Sequence, residues 1–186
     1  GQRGIGDKAG NDTVTGNTSV NYTIDTTEPV VSSVVMSDSA LTVGETSTLT
    51  ITFSEAVTAF DNTDITLENG TLTAVSSADS GVTWTGTFTP TDNIEDTTNV
   101  ITVGTSLTDL AGNALIAGNT TANYTIDTTE PVVSSVVMSD SALAVGETST
   151  LTITFSEAVT AFDNTDITLE NGTLTAVSSA DSGVTW

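Results

Sequence analysis

An all-β chain, built from sandwich units repeated in tandem and set end to end, is the fold class this sequence predicts. Three observations predict it. The segment YTIDTTEPVVSSVVMSDSAL occurs at Tyr22–Leu41 and again at Tyr124–Leu143, 102 residues apart, and a fixed internal period marks a repeat architecture. Apolar residues alternate with polar ones at the strand period of two. Clusters of Gly, Asn, Asp and Pro interrupt these runs at short intervals, as turns between strands do.

The repeat sets the domain organisation. Tyr124 to Trp186 matches Tyr22 to Trp84 at every position but one, Thr42 against Ala144. Residues 1–21 align with 103–123, where Asp7, Ala9, Gly10 and Asn11 match Asp109, Ala111, Gly112 and Asn113. Residues 1–27 are therefore expected to be the C-terminal part of a preceding unit, 28–129 a complete unit, and 130–186 the N-terminal part of a following one. On this reading the chain is an excerpt from a longer array, so the lack of a leader or a membrane run carries no weight. A unit of roughly 100 residues can bury an adequate core alone. It must do so without disulfides, since there is no cysteine.

In the complete unit eight strand-like segments stand near residues 30–36, 47–53, 57–60, 65–68, 71–76, 82–89, 98–104 and 119–126. In TSTLTITF, Leu49, Ile51 and Phe53 alternate with Thr48, Thr50 and Thr52. In VTWTGTFTP, Val82, Trp84 and Phe88 oppose Thr83, Thr85, Thr87 and Thr89, and in ANYTID, Ala122, Tyr124 and Ile126 share a face. One buried and one wet face suit antiparallel sheets, and β-branched Thr on the wet face favours strand while staying soluble. Leu49, Ile51, Phe53, Trp84, Phe88 and Tyr124 are expected to be buried.

Turns separate these segments. Asn69-Gly70 can take the positive φ of a tight hairpin, and 77–81 and 90–96 read as loops. Short strands with regularly spaced turns are those of an immunoglobulin-like sandwich. Eight reversing strands would put both chain ends at the same end of the unit, which a linear array forbids. One short segment, 57–60 or 65–68, is therefore expected to be a bend or a helical turn.

Charge narrows the function classes. The chain has 24 acidic and two basic residues, the latter Arg3 and Lys8. Nucleic acid is excluded as a partner, because phosphate binding needs basic residues. Charge this one-sided repels itself or recruits cations. At 37% hydrophobic with ordered alternation, the chain is no disordered acidic tail. The complete unit has no His, Cys or Lys, so the commonest catalytic bases and nucleophiles are missing and an enzyme is the weakest reading.

The combination TSTLTITFSEAVTAFDNTDITLENGTL, DLAGN and IDTTEPVV resembles the bacterial Ig-like repeats in the extender region of giant, RTX-type surface adhesins. The resemblance covers the whole chain. It implies an extracellular extender on a bacterial surface, with neighbouring repeats as partners, no membrane insertion by this segment, and calcium at the junctions as the stiffening ion.

The junction IDTTEP carries Asp25 and Glu28, and in its second copy Asp127 and Glu130. Carboxylates and nearby carbonyls are the hard oxygen ligands Ca²⁺ prefers, six to eight in all; otherwise Pro29 and Pro131 simply direct a solvated linker. Asp109 and Asn113 in DLAGN, like Asp7 and Asn11 in DKAGN, occupy a loop that this topology carries towards Asp25 and Glu28. The plain alternative is an Asx turn with Gly112 at positive φ. Glu55 in FSEAV belongs to the same end of the unit and is the last candidate ligand. Asp92, Glu95 and Asp96 read as a solvated acidic loop. The leading function is a calcium-stiffened extender. The alternative is a surface-, glycan- or ice-binding module that uses exposed Thr-rich strands.

Overall fold

The computed structural model describes residues 7–11 and 18–186. Of the preceding unit's tail, 7–11 form a turn and 18–27 an exposed segment without regular structure. Expectations for residues 1–6 and 12–17 lie outside the described residues.

The strands follow the alternating runs. The first are β1 (Val31–Met36), β2 (Ala40–Thr42), β3 (Ser47–Phe53) and β4 (Val57–Thr58). After a helical turn at Asn62–Asp64 come β5 (Ile65–Thr66), β6 (Gly70–Leu72), β7 (Ser76–Ser77) and β8 (Thr83–Pro90). The unit closes with β9 (Glu95–Asn99), β10 (Thr102–Val103), β11 (Thr108–Asp109), β12 (Asn119–Thr120) and β13 (Tyr124–Asp127). Beyond it, the next unit forms β14 (Val133–Met138) and β15 (Leu151–Phe155).

Two sheets face each other. One has the order β1-β3-β8-β6, with β7 also on β8. The other is assembled from short ladders, β12-β10-β5, β11-β4 and β2-β13-β9. The first strand therefore switches sheets between β1 and β2, and β2 pairs with β13 in parallel. This is an immunoglobulin-like β-sandwich.

The pairings also resolve the direction problem. β4 and β5 pair with successive parts of one returning segment, β11 and β10. They are thus one traverse interrupted by the helical turn, so the segments expected at 57–60 and 65–68 merge rather than one of them dropping out. An odd number of traverses results. The first and last strands run parallel, and the chain enters and leaves at opposite ends.

The core is the inward face of both sheets. Leu49, Ile51, Phe53, Phe88 and Tyr124 are buried, as their alternation required. Trp84 is only half-buried. Its indole N–H must find an acceptor, and from the rim of the core it donates to the Gly81 carbonyl at 3.1 Å while its ring meets Phe60 edge-on at 5.3 Å. Phe60 in turn meets Phe53 at 5.2 Å. Residues 90–96, expected to be one loop, turn at Asn93 (φ 58°) and are already strand from Glu95. Alternation could not reveal β9, because Glu95, Asp96, Thr97 and Thr98 are all polar.

Candidate metal centre

Asp109 is placed by the DLAGN turn. Its Oδ1 accepts from the Asn113 backbone N–H at 2.8 Å, its Oδ2 from Asn113 Nδ2 at 2.8 Å, and Gly112 stands at φ 94°. DKAGN repeats this geometry, with Asp7 accepting from Ala9 N, Asn11 N and Asn11 Nδ2, each at 2.9 Å. The Asx turn is therefore real in both copies, but it does more than reverse the chain. Asn113 Nδ2 also donates to the Asp25 carbonyl at 3.3 Å, which ties the loop to the incoming junction. The next residues extend this seam, Ile116 N donating to Pro29 O at 3.2 Å and Val31 N to Ala117 O at 3.0 Å.

Glu55 arrives from the other sheet edge. Ser54 is docked on the entering strand, its hydroxyl accepting from Val30 N and its own N–H donating to Val30 O, both at 3.0 Å. That contact aims the following side chain at the junction. One carboxylate oxygen from each of Asp25, Glu55 and Asp109 then lies within 4.8 Å of the others.

The electrostatics of this triad are unbalanced. Glu55 Oε1 is buried and has no hydrogen-bond partner. Burial pushes the Glu55 carboxyl up, and the charges of Asp25 and Asp109 push it further. Asp109, itself buried, is also pushed up by desolvation, but the hydrogen bonds from Asn113, Gly112 and Ala111 outweigh that and hold it below the usual carboxylate range. Three converging carboxylates, one oxygen buried and unpaired, make a donor set that could hold a metal ion. All the donors are oxygens, which suits a hard cation such as Ca²⁺ or Mg²⁺.

The chain matches the family model of the bacterial Ig-like domain over residues 25–126 and again over 127–186. It belongs to that family. Comparison with curated proteins and with solved structures returns no match. Bacterial Ig-like domains are structural modules typical of surface proteins, and here two follow each other in tandem. Among the described residues no helix is long and apolar enough to cross a membrane.

The second junction of these Ig-like domains repeats half of the arrangement and adds to it. Ser156 docks on Val132 as Ser54 does on Val30, at 2.9 and 2.8 Å, and Glu157 Oε1 is again buried without a partner. Burial raises the Glu157 carboxyl, helped by Asp127 and by Glu95. Glu95 is the register partner of Asp127 across β9 and β13, which sets their side chains about 5 Å apart at Cβ. Glu157 follows from Glu55 by the repeat alone. Glu95, expected in a solvated acidic loop with Asp92 and Asp96, instead opens β9; no alternation marks that strand, because it is polar throughout. Glu28 and Glu130 are exposed and stand outside the triad; Glu130 instead lines a shallow polar recess with Asp92, Asn93 and Thr128.

Proposed function

We propose that this chain is part of the extender of a bacterial cell-surface adhesin, in which calcium at each inter-repeat junction stiffens the array. The observation that carries the reading is the buried, unpaired oxygen of Glu55 within reach of Asp25 and Asp109. A carboxylate kept from both water and hydrogen-bond donors is costly unless something positive completes it. At the second junction Asp127 ends the last strand of one unit, while Asp25, its counterpart, meets Glu55 and Asp109 of the unit that follows it. An ion there grips both sides of the hinge, with Glu95 adding a ligand from the preceding unit. Neighbouring repeats are then the partners, the setting is extracellular, and the role is mechanical support of adhesion and biofilm formation rather than catalysis.

Extracellular calcium modules bind with Kd on the order of 10⁻⁴–10⁻³ M. A hundredfold excess over Kd would stabilise the bound arrangement by about 2.7 kcal/mol. The test is calorimetry and small-angle scattering with calcium and with chelator. Calcium should raise Tm and extend the particle. Glu55→Gln should raise Tm in chelator, because it relieves the repulsion, and should abolish the calcium increment at the first junction. A Glu55→Gln chain that responds to calcium as the parent does would leave the junction a mere linker.

One observation favours the alternative reading. The outer face of the first sheet pairs Thr48 with Thr87, Thr50 with Thr85, Thr52 with Thr83 and Thr71 with Thr89, a ladder that could grip a glycan, a surface or ice. Binding of such a target by one isolated unit, without calcium, would favour it.

A further inference from the structure

The DLAGN loop carries a leucine that its own unit does not cover. Leu110 is 77% exposed and directly follows Asp109, in a turn that Asn113 closes. The same turn at Asp7–Asn11 keeps these hydrogen bonds but has Lys8 at the matching position, also exposed. Lys8 is the one lysine of the chain. A single position of this turn thus takes an apolar or a cationic side chain, and both are long.

The opposite pole of the unit offers a surface that suits either. Val43, Asp92, Asn93, Thr128 and Glu130 line the shallow recess there. Thr42 is the register partner of Asp127, which brings Val43, 48% exposed, to the end of β13. The Asn93 turn is clamped to that same end: Asn93 N donates to Thr128 O at 3.2 Å, and Thr128 Oγ1 to Thr91 O at 2.7 Å. The recess thus combines an exposed valine with the exposed carboxylates of Asp92 and Glu130. Two observations bring the loop to it. Asn113 Nδ2 donates to the Asp25 carbonyl, and Asp25 is the repeat counterpart of Asp127, the last residue of β13. At the second junction Glu157 feels the charges of Asp127 and Glu95. Its counterpart Glu55 has a carboxylate oxygen within 4.8 Å of one from Asp109, the residue before Leu110. Carried along by the 102-residue period, the loop of each unit stands over the end of β13 and the Asn93 turn of the unit before it.

We propose that the side chain after the first Asp of this loop is a docking knob, which seats in the recess of Val43, Asp92, Thr128 and Glu130 at the end of the preceding unit. Leucine seats there by burying apolar surface against Val43. Lysine lays its methylene stem along the same valine and takes its ammonium to Asp92 and Glu130. An aspartate would meet two like charges in a chain already rich in them. The contact rests on the reading of neighbouring repeats as partners, and not on the ion proposed for the junction.

Residues 130–186 repeat 28–84 but for one position, so a copy of residues 85–129 appended after Trp186 completes the second unit. The chain has no cysteine, which lets two thiols be placed at will. Thr91→Cys puts one beside the recess of the first unit, and Ala111→Cys in the appended copy puts the other in the loop. A short bis-maleimide then reports their proximity in chelator, where no divalent ion holds the junction. This parent should cross-link about tenfold faster than a chain with Leu110→Asp in the appended copy, because docking raises the effective concentration of the two thiols. Leu110→Lys there should keep the fast rate at low salt and lose it as NaCl screens the contact. Equal rates for the leucine and aspartate chains would overturn the proposal, and so would a lysine chain as slow as the aspartate one. A parent that cross-links fast only with calcium would overturn it too, while leaving the calcium junction standing. Fast cross-linking in chelator without a calcium increment in Tm would uphold the docking contact and count against the ion.

Discussion

Residues 28–84 and 130–186 carry the same sequence but for one position, and among the described residues only the first is accompanied by strands that complete its sandwich. Some features are common to both. β14 and β15 reproduce the register of β1 and β3, including its irregularity after the first pair. The Asp61 cap of the helical turn recurs at Asp163. Phe155, Phe162 and Trp186 repeat the edge-on chain at 5.1 and 5.4 Å. Other features are lost. Val34 is 5% exposed and Val136 61%, Leu41 1% and Leu143 48%, and β2 has no counterpart. What survives is encoded by near neighbours in sequence; what disappears needed β9–β13. The preceding tail gives the mirror image: Tyr22 is 72% exposed and Tyr124 1%.

The comparison breaks most sharply at Leu41. Leu41→Ala should cost about 2–5 kcal/mol through lost burial and the cavity left behind. Leu143→Ala should cost about 0.5 kcal/mol or less, the usual range at an exposed site. Urea unfolding of the two variants measures both, and equal costs would mean that the second copy finds a cover of its own.

A pH titration sharpens the other side, the features that do not need the second half. Asp79 accepts from Thr83 N and from Ser77 Oγ, both at 2.8 Å. With the Thr83 backbone bond as the leading cause, its carboxyl is lowered to about 2, and Asp181 is lowered to about 2 in the same way. A folded value below the unfolded one means stability that is present above the ordinary carboxylate range and is lost as pH falls towards about 2. Carboxyl chemical shifts should therefore titrate together at the two positions. A normal value at Asp181 alone would show that the loop depends on contacts found only in the complete unit.

The smallest effect is expected where the two copies differ. Thr42 is exposed, and its N–H is satisfied by Glu45 at 2.9 Å as Ala144 N is by Glu147 at 2.7 Å. Thr42→Ala should stay within about 0.5 kcal/mol, read from the same unfolding curves.

The same contrast explains what could be read from the sequence. β3 and β8 were legible because they alternate over seven and eight residues. β2 was not, since three residues carry no period and the strand exists only beside β13. The merging of β4 and β5 needed their common partner segment, which no local pattern announces. At the site, Asp25, Asp109, Asn113 and Glu55 were legible as candidates at one end of the unit; the structure brings the three carboxylates within 4.8 Å of one another, while Asn113 turns its amide N–H to Asp109 and to the Asp25 carbonyl. Glu28 and Glu130 share their composition but face solvent, because carboxylate identity says nothing about direction. Glu95 is reached only through its cross-strand register.

The parallel run of the first and last strands has a mechanical consequence. A pull on the array enters the complete unit before β1 and leaves after β13, so it drags these neighbours in opposite directions along their length. Thr125 N to Ser39 O at 2.9 Å and Val31 N to Ala117 O at 3.0 Å lie on that seam, and it must be sheared as a whole rather than unzipped bond by bond. Rupture force in single-molecule pulling should accordingly fall when Ser39 is replaced by proline, which disturbs the β2 end of the seam, and change little when the same replacement is made at Ser141, whose strand is not formed.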